Sequence, residues 1–265
     1  MIRVSKQLKK EEVHKEEVVL KRVPVISLMV NTISLSASLN KVMEWGMSHT
    51  PSYVCFANVH MVAEAHRDES FRAQVNGASL VLPDGKPIAT AIRVSQRKKI
   101  ERKAGMDFLP LTLRKADATG ARVFLYGSSE EIQTAMIRRI QMEYPNVQVA
   151  GAIVPPFTKL SSSEIDDHIN QIRASAAHIV MVSLGCPKQE KWMAENSERI
   201  PAVLLGVGGA FAVFAGLKKR APRWMQKYSL EWLYRFIQEP RRMFGRYLYT
   251  NTLFLFLLAK KIIRR

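Results

Sequence analysis

Short apolar runs recur along the chain at Val23–Val30, Tyr53–Ala57, Ser79–Leu82, Arg122–Tyr126, Val147–Ile153, His178–Ser183 and Ala202–Val207, and each reads as a strand. Most are separated by stretches of helical periodicity with recognisable ends: Leu35–Met47, Asp68–Asn76 closed by Gly77, Asp107–Thr119 closed by Gly120, Glu130–Glu143, and Ser163–Ala174 opened by the serines at 161 and 162. Runs that are apolar throughout suit strands buried on both faces. The alternation predicts an α/β fold with a mainly parallel, Rossmann-like sheet and helices on both faces. Ligands of such sheets bind outside the carboxyl ends of the strands, so the residues just after each run are the first candidates for chemistry.

The alternation stops at Leu217. From there the chain carries 13 Lys or Arg against Glu231 and Glu239 alone, a net +11 out of +17 for the whole chain. This divides the molecule into a charged N-terminal extension (1–22), an α/β core (23–216) and a basic helical C-terminal appendage (217–265). Such a block suits anionic lipid or nucleic acid, with a solvated surface as the plain alternative. Tyr247–Ala259 carries no charge and is bracketed by Arg241, Arg242 and Arg246 on one side and Lys260, Lys261, Arg264 and Arg265 on the other. It falls short of the roughly 20 apolar residues of a membrane-spanning helix. On a helix, Phe244, Tyr247, Leu248, Phe254, Leu255, Leu258 and Ile262 lie near one side. That predicts a helix in the headgroup region with its cations on anionic lipid, and packing against the core is the alternative.

Composition adds limits. With 265 residues, 47% of them hydrophobic, the chain can bury a full core without disulfides or metals. Cys55 and Cys186 belong to no zinc-binding spacing, which suits a reducing cytoplasm. The charged segment Lys6–Glu17 is unlike an apolar export signal, so a cytoplasmic location is expected.

The candidate chemistry sits at the strand ends. After His178–Ser183 comes LGCPKQEKW, where Gly185 permits a turn or a ligand's approach, Pro187 suits a first helical turn, Lys188 adds a charge, and Gln189 adds a donor and an acceptor. LVLPDGKP places Asp84 at a strand end, where a carboxylate can act as general base, although Pro-Asp-Gly is also a common turn sequence. Asn58 either orients a sugar hydroxyl or caps the helix beginning near Val59. In RKAGMD, Arg102 is placed to meet a diphosphate bidentately, or belongs to a solvated basic run with Arg97, Lys98, Lys99 and Lys103. Gly206, Gly208 and Gly209 allow either a ligand's approach or tight packing. Ser128 and Ser129 in YGSSEE resemble a phosphate-facing turn, which Glu130 and Glu131 would oppose. The chain has no GxxxxGK[ST] phosphate loop, HExxH, GxSxG or metal-holding DxD.

In order, VCFANVHMV, LVLPDGKP, ERKAGMDF, FLYGSS, VSLGCPKQEKWM, LGVGGAF and KRAPRWMQKYSLEWLYRFIQEPRR resemble the WecG/TagA/CpsF family of bacterial glycosyltransferases, from about Val23 to Arg246. The resemblance implies an enzyme on the cytoplasmic face of the membrane that moves a sugar from a UDP-sugar to a polyprenyl-diphosphate-linked saccharide during surface polysaccharide synthesis. It implies an inverting reaction that needs no metal or other cofactor. Asp84 would be the base, Asn58 and Gln189 would lie beside the sugar, Arg102 near the diphosphate, and Arg235, Arg241 and Arg242 of the appendage would complete the site. The chain departs from the family pattern at Ala212, where Asp is common, and at Phe56 and Ala57, in a turn where Thr is common. The contacts to the base and to one hydroxyl near the acceptor are therefore not carried over. A nucleic-acid-binding protein using the basic tail is the alternative function, and a homo-oligomer is left open.

Overall fold

The computed structural model describes residues 20–96, 100, 102–156, 158, 160–228 and 230–263; the side chains of Gln96, Lys227, Arg242, Arg246 and Ile262 are outside the described set. The chain opens with β1 (Arg22–Val25), β2 (Leu28–Asn31), α1 (Leu35–Met47), β3 (Ser52–Ala57), α2 (Val59–Arg67), α3 (Glu69–Gly77), β4 (Leu80–Pro83) and α4 (Lys86–Gln96). It continues through α5 (Gly105–Thr119), β5 (Arg122–Gly127), α6 (Glu130–Glu143), β6 (Gln148–Ile153), α7 (Ser162–Ala174), β7 (Ile179–Ser183), α8 (Lys188–Asn196), β8 (Val203–Gly206) and α9 (Ala210–Phe214). It ends in α10 (Arg223–Tyr228), α11 (Glu231–Gln238) and α12 (Pro240–Ile263).

Six strands pair in parallel in the order β4-β3-β8-β7-β5-β6, which bears out the α/β expectation. The apolar run Val23–Val30 is not a strand of this sheet. It folds into the antiparallel hairpin β1-β2, because Ile26, at φ 55°, reverses the chain within the run. An apolar run does not record a reversal that one residue can make.

Side chains along each strand alternate between the two faces, as the two-residue period requires. Cys55, Ala57, Val81, Phe124, Tyr126, Val180, Val182 and Leu204 join one core cluster with the hairpin, α2, α3, α4, α7 and α8. Val54, Phe56, Leu80, Leu82, Val123, Leu125, Met181 and Leu205 join the other with α1, α5, α6 and α9. Local signals set the helix ends: Ser161 and Glu164 form a capping box on α7, and Gly120 adopts the left-handed conformation after α5.

The helices that leave the neighbouring strands β3 and β8 go to opposite faces, α2 to the first cluster and α9 to the second. Such a divergence of neighbouring strands is a topological switch point, beside which α/β sheets bind their ligands.

α12 joins the first cluster through Phe254, which is 3% exposed, with Met243 and Thr250 also buried. The apolar positions expected on one lipid-facing side are thus divided. Phe254 points inward and Tyr247 and Leu258 are half-buried, while Phe244, Leu248 and Leu255 are open to solvent. The seven positions span a wide arc of the helix, and the core takes one edge of it. No helix among the described residues is long and apolar enough to cross a membrane.

Candidate active site

Four neighbouring strands deliver the candidates to one edge: Asp84 after β4, Asn58 after β3, Gly208 after β8 and Gly185 after β7. Their register is held by backbone hydrogen bonds, from Asp84 N to Ala57 O (2.8 Å), from Lys103 N to Pro83 O (2.8 Å), and from Gly208 N to Val182 O (3.1 Å). The turn at Asp84 is completed by Gly85, whose φ of +89° favours glycine.

Asp84 is half-buried, and desolvation pushes its carboxyl up to about 6. The charges of Arg235 and Arg102 pull it down, and those of Glu231 and Asp107 push it up. A carboxylate poised there is ionised at neutral pH yet basic enough to take a proton, which is what a general base requires.

Arg102, Asp107, Arg220 and Glu231 form a closed ring of alternating charge beside it. Arg102 pairs with Asp107 (3.1 Å) and with Glu231, and Arg220 pairs with Asp107 and with Glu231 (3.4 Å). Burial works against the Arg102 charge, but the hydrogen bond and charge of Glu231, with Asp107 and Asp84, outweigh it and raise its pKa. Arg235 reaches the start of α5, its guanidinium 3.3 Å from Met106 Sδ. Arg241 is exposed on α12, and the Arg242 side chain lies outside the described residues.

The other candidates divide by what already occupies them. Asn58 caps α2, its Oδ1 accepting from Met61 N at 3.1 Å. Gln189 is buried at 4% exposure; its Oε1 accepts from Gly208 N (3.0 Å), and its Nε2 donates to Glu190 Oε1 (3.1 Å). It therefore holds the glycine turn, which Ser183 Oγ also fixes by donating to Gly208 O at 2.8 Å. Burial raises the pKa of Glu190 at the far end of this chain of bonds.

The glycines separate cleanly. A Cβ on Gly206 would come within 2.6 Å of Gln189 Nε2 and 2.7 Å of Met193 Cε, so packing explains that one. Gly185 and Gly209 are exposed, and a Cβ on either would meet nothing within 4 Å, so packing does not explain them. Gly185 (φ +79°) and Gly208 (φ +50°) are instead required by their turns. Lys188 stands exposed at the start of α8.

Several placements differ from expectation. Lys103, grouped with a solvated run, is 1% exposed, because its backbone is tied to Pro83; Arg97, Lys98 and Lys99 lie outside the described residues. Ser129 of the YGSS turn caps α6. Phe56, Ala57 and Ala212 are buried, and Phe56 packs edge-on against Phe108. Arg220 and Glu231 follow no strand and belong to no strand-end motif. Glu231 is one of two acids in a strongly basic segment, and that isolation is the signal that could have found it.

Comparison with known proteins identifies the family. The model of the glycosyl transferase WecG/TagA/CpsF family matches residues 23–265. The chain belongs to this family. As a WecG/TagA/CpsF member it is a glycosyltransferase. An N-acetylglucosaminyldiphosphoundecaprenol N-acetyl-beta-D-mannosaminyltransferase of Bacillus subtilis (strain 168) is 33% identical over 189 residues, 70% of this chain and 71% of the relative. The enzyme of the same name from Staphylococcus aureus (strain MW2) is 29% identical over 212 residues, 78% of this chain and 80% of the relative. Among the described residues, no three His, Cys, Asp or Glu side chains are grouped to hold a metal ion.

Proposed function

We propose that this glycosyltransferase moves a sugar from a UDP-sugar to a polyprenyl-diphosphate-linked saccharide by a single, inverting displacement, at the cytoplasmic face of the membrane. The observation that carries the reading is Asp84: a desolvated carboxylate, with its pKa near 6, at a strand's carboxyl end and under the charges of Arg102 and Arg235. In the reaction, Asp84 takes the proton of the acceptor hydroxyl as the hydroxyl oxygen attacks the anomeric carbon, and the bond to the UDP oxygen breaks on the opposite side. Negative charge gathers on the diphosphate. Arg102, Arg235 and Arg241 supply positive charge there, with the exposed Lys188 at the start of α8, and no metal is required. Gly185 and Gly209, open at the edge, let the donor approach the backbone, and Gln189 holds the turn beside them.

The names of the relatives support an N-acetylmannosaminyl donor and a GlcNAc-diphosphoundecaprenol acceptor. A β-linked product is what one displacement on an α-linked nucleotide sugar yields. The exposed Trp224, Trp232, Phe244, Leu248 and Leu255 among the appendage's cations support an acceptor delivered from an anionic membrane surface. The test offers UDP-N-acetylmannosamine, its uronate, UDP-glucose and UDP-glucuronate with GlcNAc-diphosphoundecaprenol, and reads UDP release with and without EDTA. Release with the first donor, unchanged by EDTA, is expected. Failure with all four donors, or loss of activity with EDTA, overturns the reading.

A further inference from the structure

α11 contributes no fully buried residue, although it carries Arg235. Its ring contacts, Trp232 with Tyr247 and Phe236 with Phe244, are to α12, and charge ties it to the core. The Glu231 side chain is 12% exposed, the most buried carboxylate of the ring, and it meets Arg102 of the core and Arg220 of the linking segment together. Asp107, at the start of α5, meets the same two arginines and closes the ring. Glu231 and Arg235 stand four residues apart and so share one face of the helix. That single face directs one charge into the ring and the other to Met106 Sδ, from where it lowers the pKa of the Asp84 carboxyl.

We propose that Glu231 is a positioning residue: by clasping Arg102 and Arg220 it holds α11 on the core and so places Arg235 beside Asp84. The clasp is ionic and partly exposed, so salt weakens it. The same arrangement confines the Arg102 guanidinium from two sides, so its donors are aimed before any ligand arrives. Loss of the carboxylate releases both effects, whereas loss of Arg235 removes the group that α11 delivers and leaves the clasp closed.

The catalytic part rests on the proposed role of Asp84, so the experiment has one arm that uses no substrate. Amide exchange across residues 231–238 is compared in the wild type and in Glu231→Gln at low and high salt, with melting temperature checking that the core stays folded. Exchange about tenfold faster in the variant at low salt is expected, approached by the wild type only at high salt. Equal exchange in the two proteins at low salt overturns the clasp. In the second arm, transfer is measured for Glu231→Gln, Arg235→Gln and the double variant. If Glu231 acts through Arg235, the double variant is within about twofold of Arg235→Gln alone. Multiplying losses, or a wild-type rate in Arg235→Gln, overturn the positioning role. A wild type that transfers no sugar defeats the proposed function and leaves the exchange result to judge the clasp.

Discussion

The carboxyl edge of the sheet and the C-terminal helices both supply side chains to one site, but they hold them by different physics. At the edge, β3, β4 and β8 are buried from end to end, and backbone hydrogen bonds near 3 Å set the positions of Asp84 and Gly208. In the appendage, α11 meets the core through ion pairs and α12 through aromatic contacts, and several large apolar side chains stay in solvent. The edge is thus built by burial, and the join between α11 and the core by charge. Ion pairs at a partly exposed surface are weak individually and sensitive to salt.

The largest effect that tests this contrast is at the edge. Asp84→Asn is expected to lower transfer by about 10²–10⁴, the usual contribution of a general base, while UDP binding by calorimetry survives. In the wild type, kcat/KM should rise with pH through about 6, because the base works only when ionised, and the variant should lack that limb. A wild-type rate in Asp84→Asn would remove the edge from the chemistry.

Next comes α12, which belongs to both regimes. Phe254→Ala is expected to cost about 3–5 kcal/mol in denaturant unfolding, whereas Phe256→Ala, 62% exposed on the same helix, should stay within about 0.5 kcal/mol. Similar losses from both would mean that the helix is not anchored as described. A smaller effect is expected from combining Phe244→Ser, Leu248→Ser and Leu255→Ser. Sedimentation with anionic vesicles should fall by at least about tenfold, with the melting temperature unchanged. Undiminished sedimentation would assign membrane contact elsewhere.

The smallest expected effect concerns stability. Because the folded pKa of Asp84 lies above its unfolded value, its ionisation opposes folding. The penalty is absent below the unfolded value near pH 4 and complete above about pH 6. Asp84→Asn should therefore melt higher than the wild type at pH 7.5 and level with it at pH 4. The opposite ordering would mean that Asp84 is not desolvated.

Much of this molecule was legible in its residues, for reasons that differ from place to place. The strands of the sheet, and helices such as Leu35–Met47 and Glu130–Glu143, announce themselves because a buried strand must be apolar throughout and a helix end needs a cap within a few residues. The same local logic marked the edge residues Asp84, Asn58, Gly185 and Gly208, since each follows a strand. It could not say which of them faces a ligand and which holds the scaffold. Gln189 offers a donor and an acceptor, and both are engaged, by Glu190 and Gly208, across a contact that joins the turns after two different strands.

What the sequence determined by itself is the alternation of elements, the edge of the sheet where chemistry belongs, and a basic tail unlike the core. Those follow from short-range pattern and composition. Only the tertiary structure decided that Val23–Val30 turns back on itself, that Phe254 points inward while Phe244 does not, and that Glu231 meets Arg102 across 129 positions of chain. Contacts of that separation depend on how layers pack and where charges are left without water, and no local pattern encodes either.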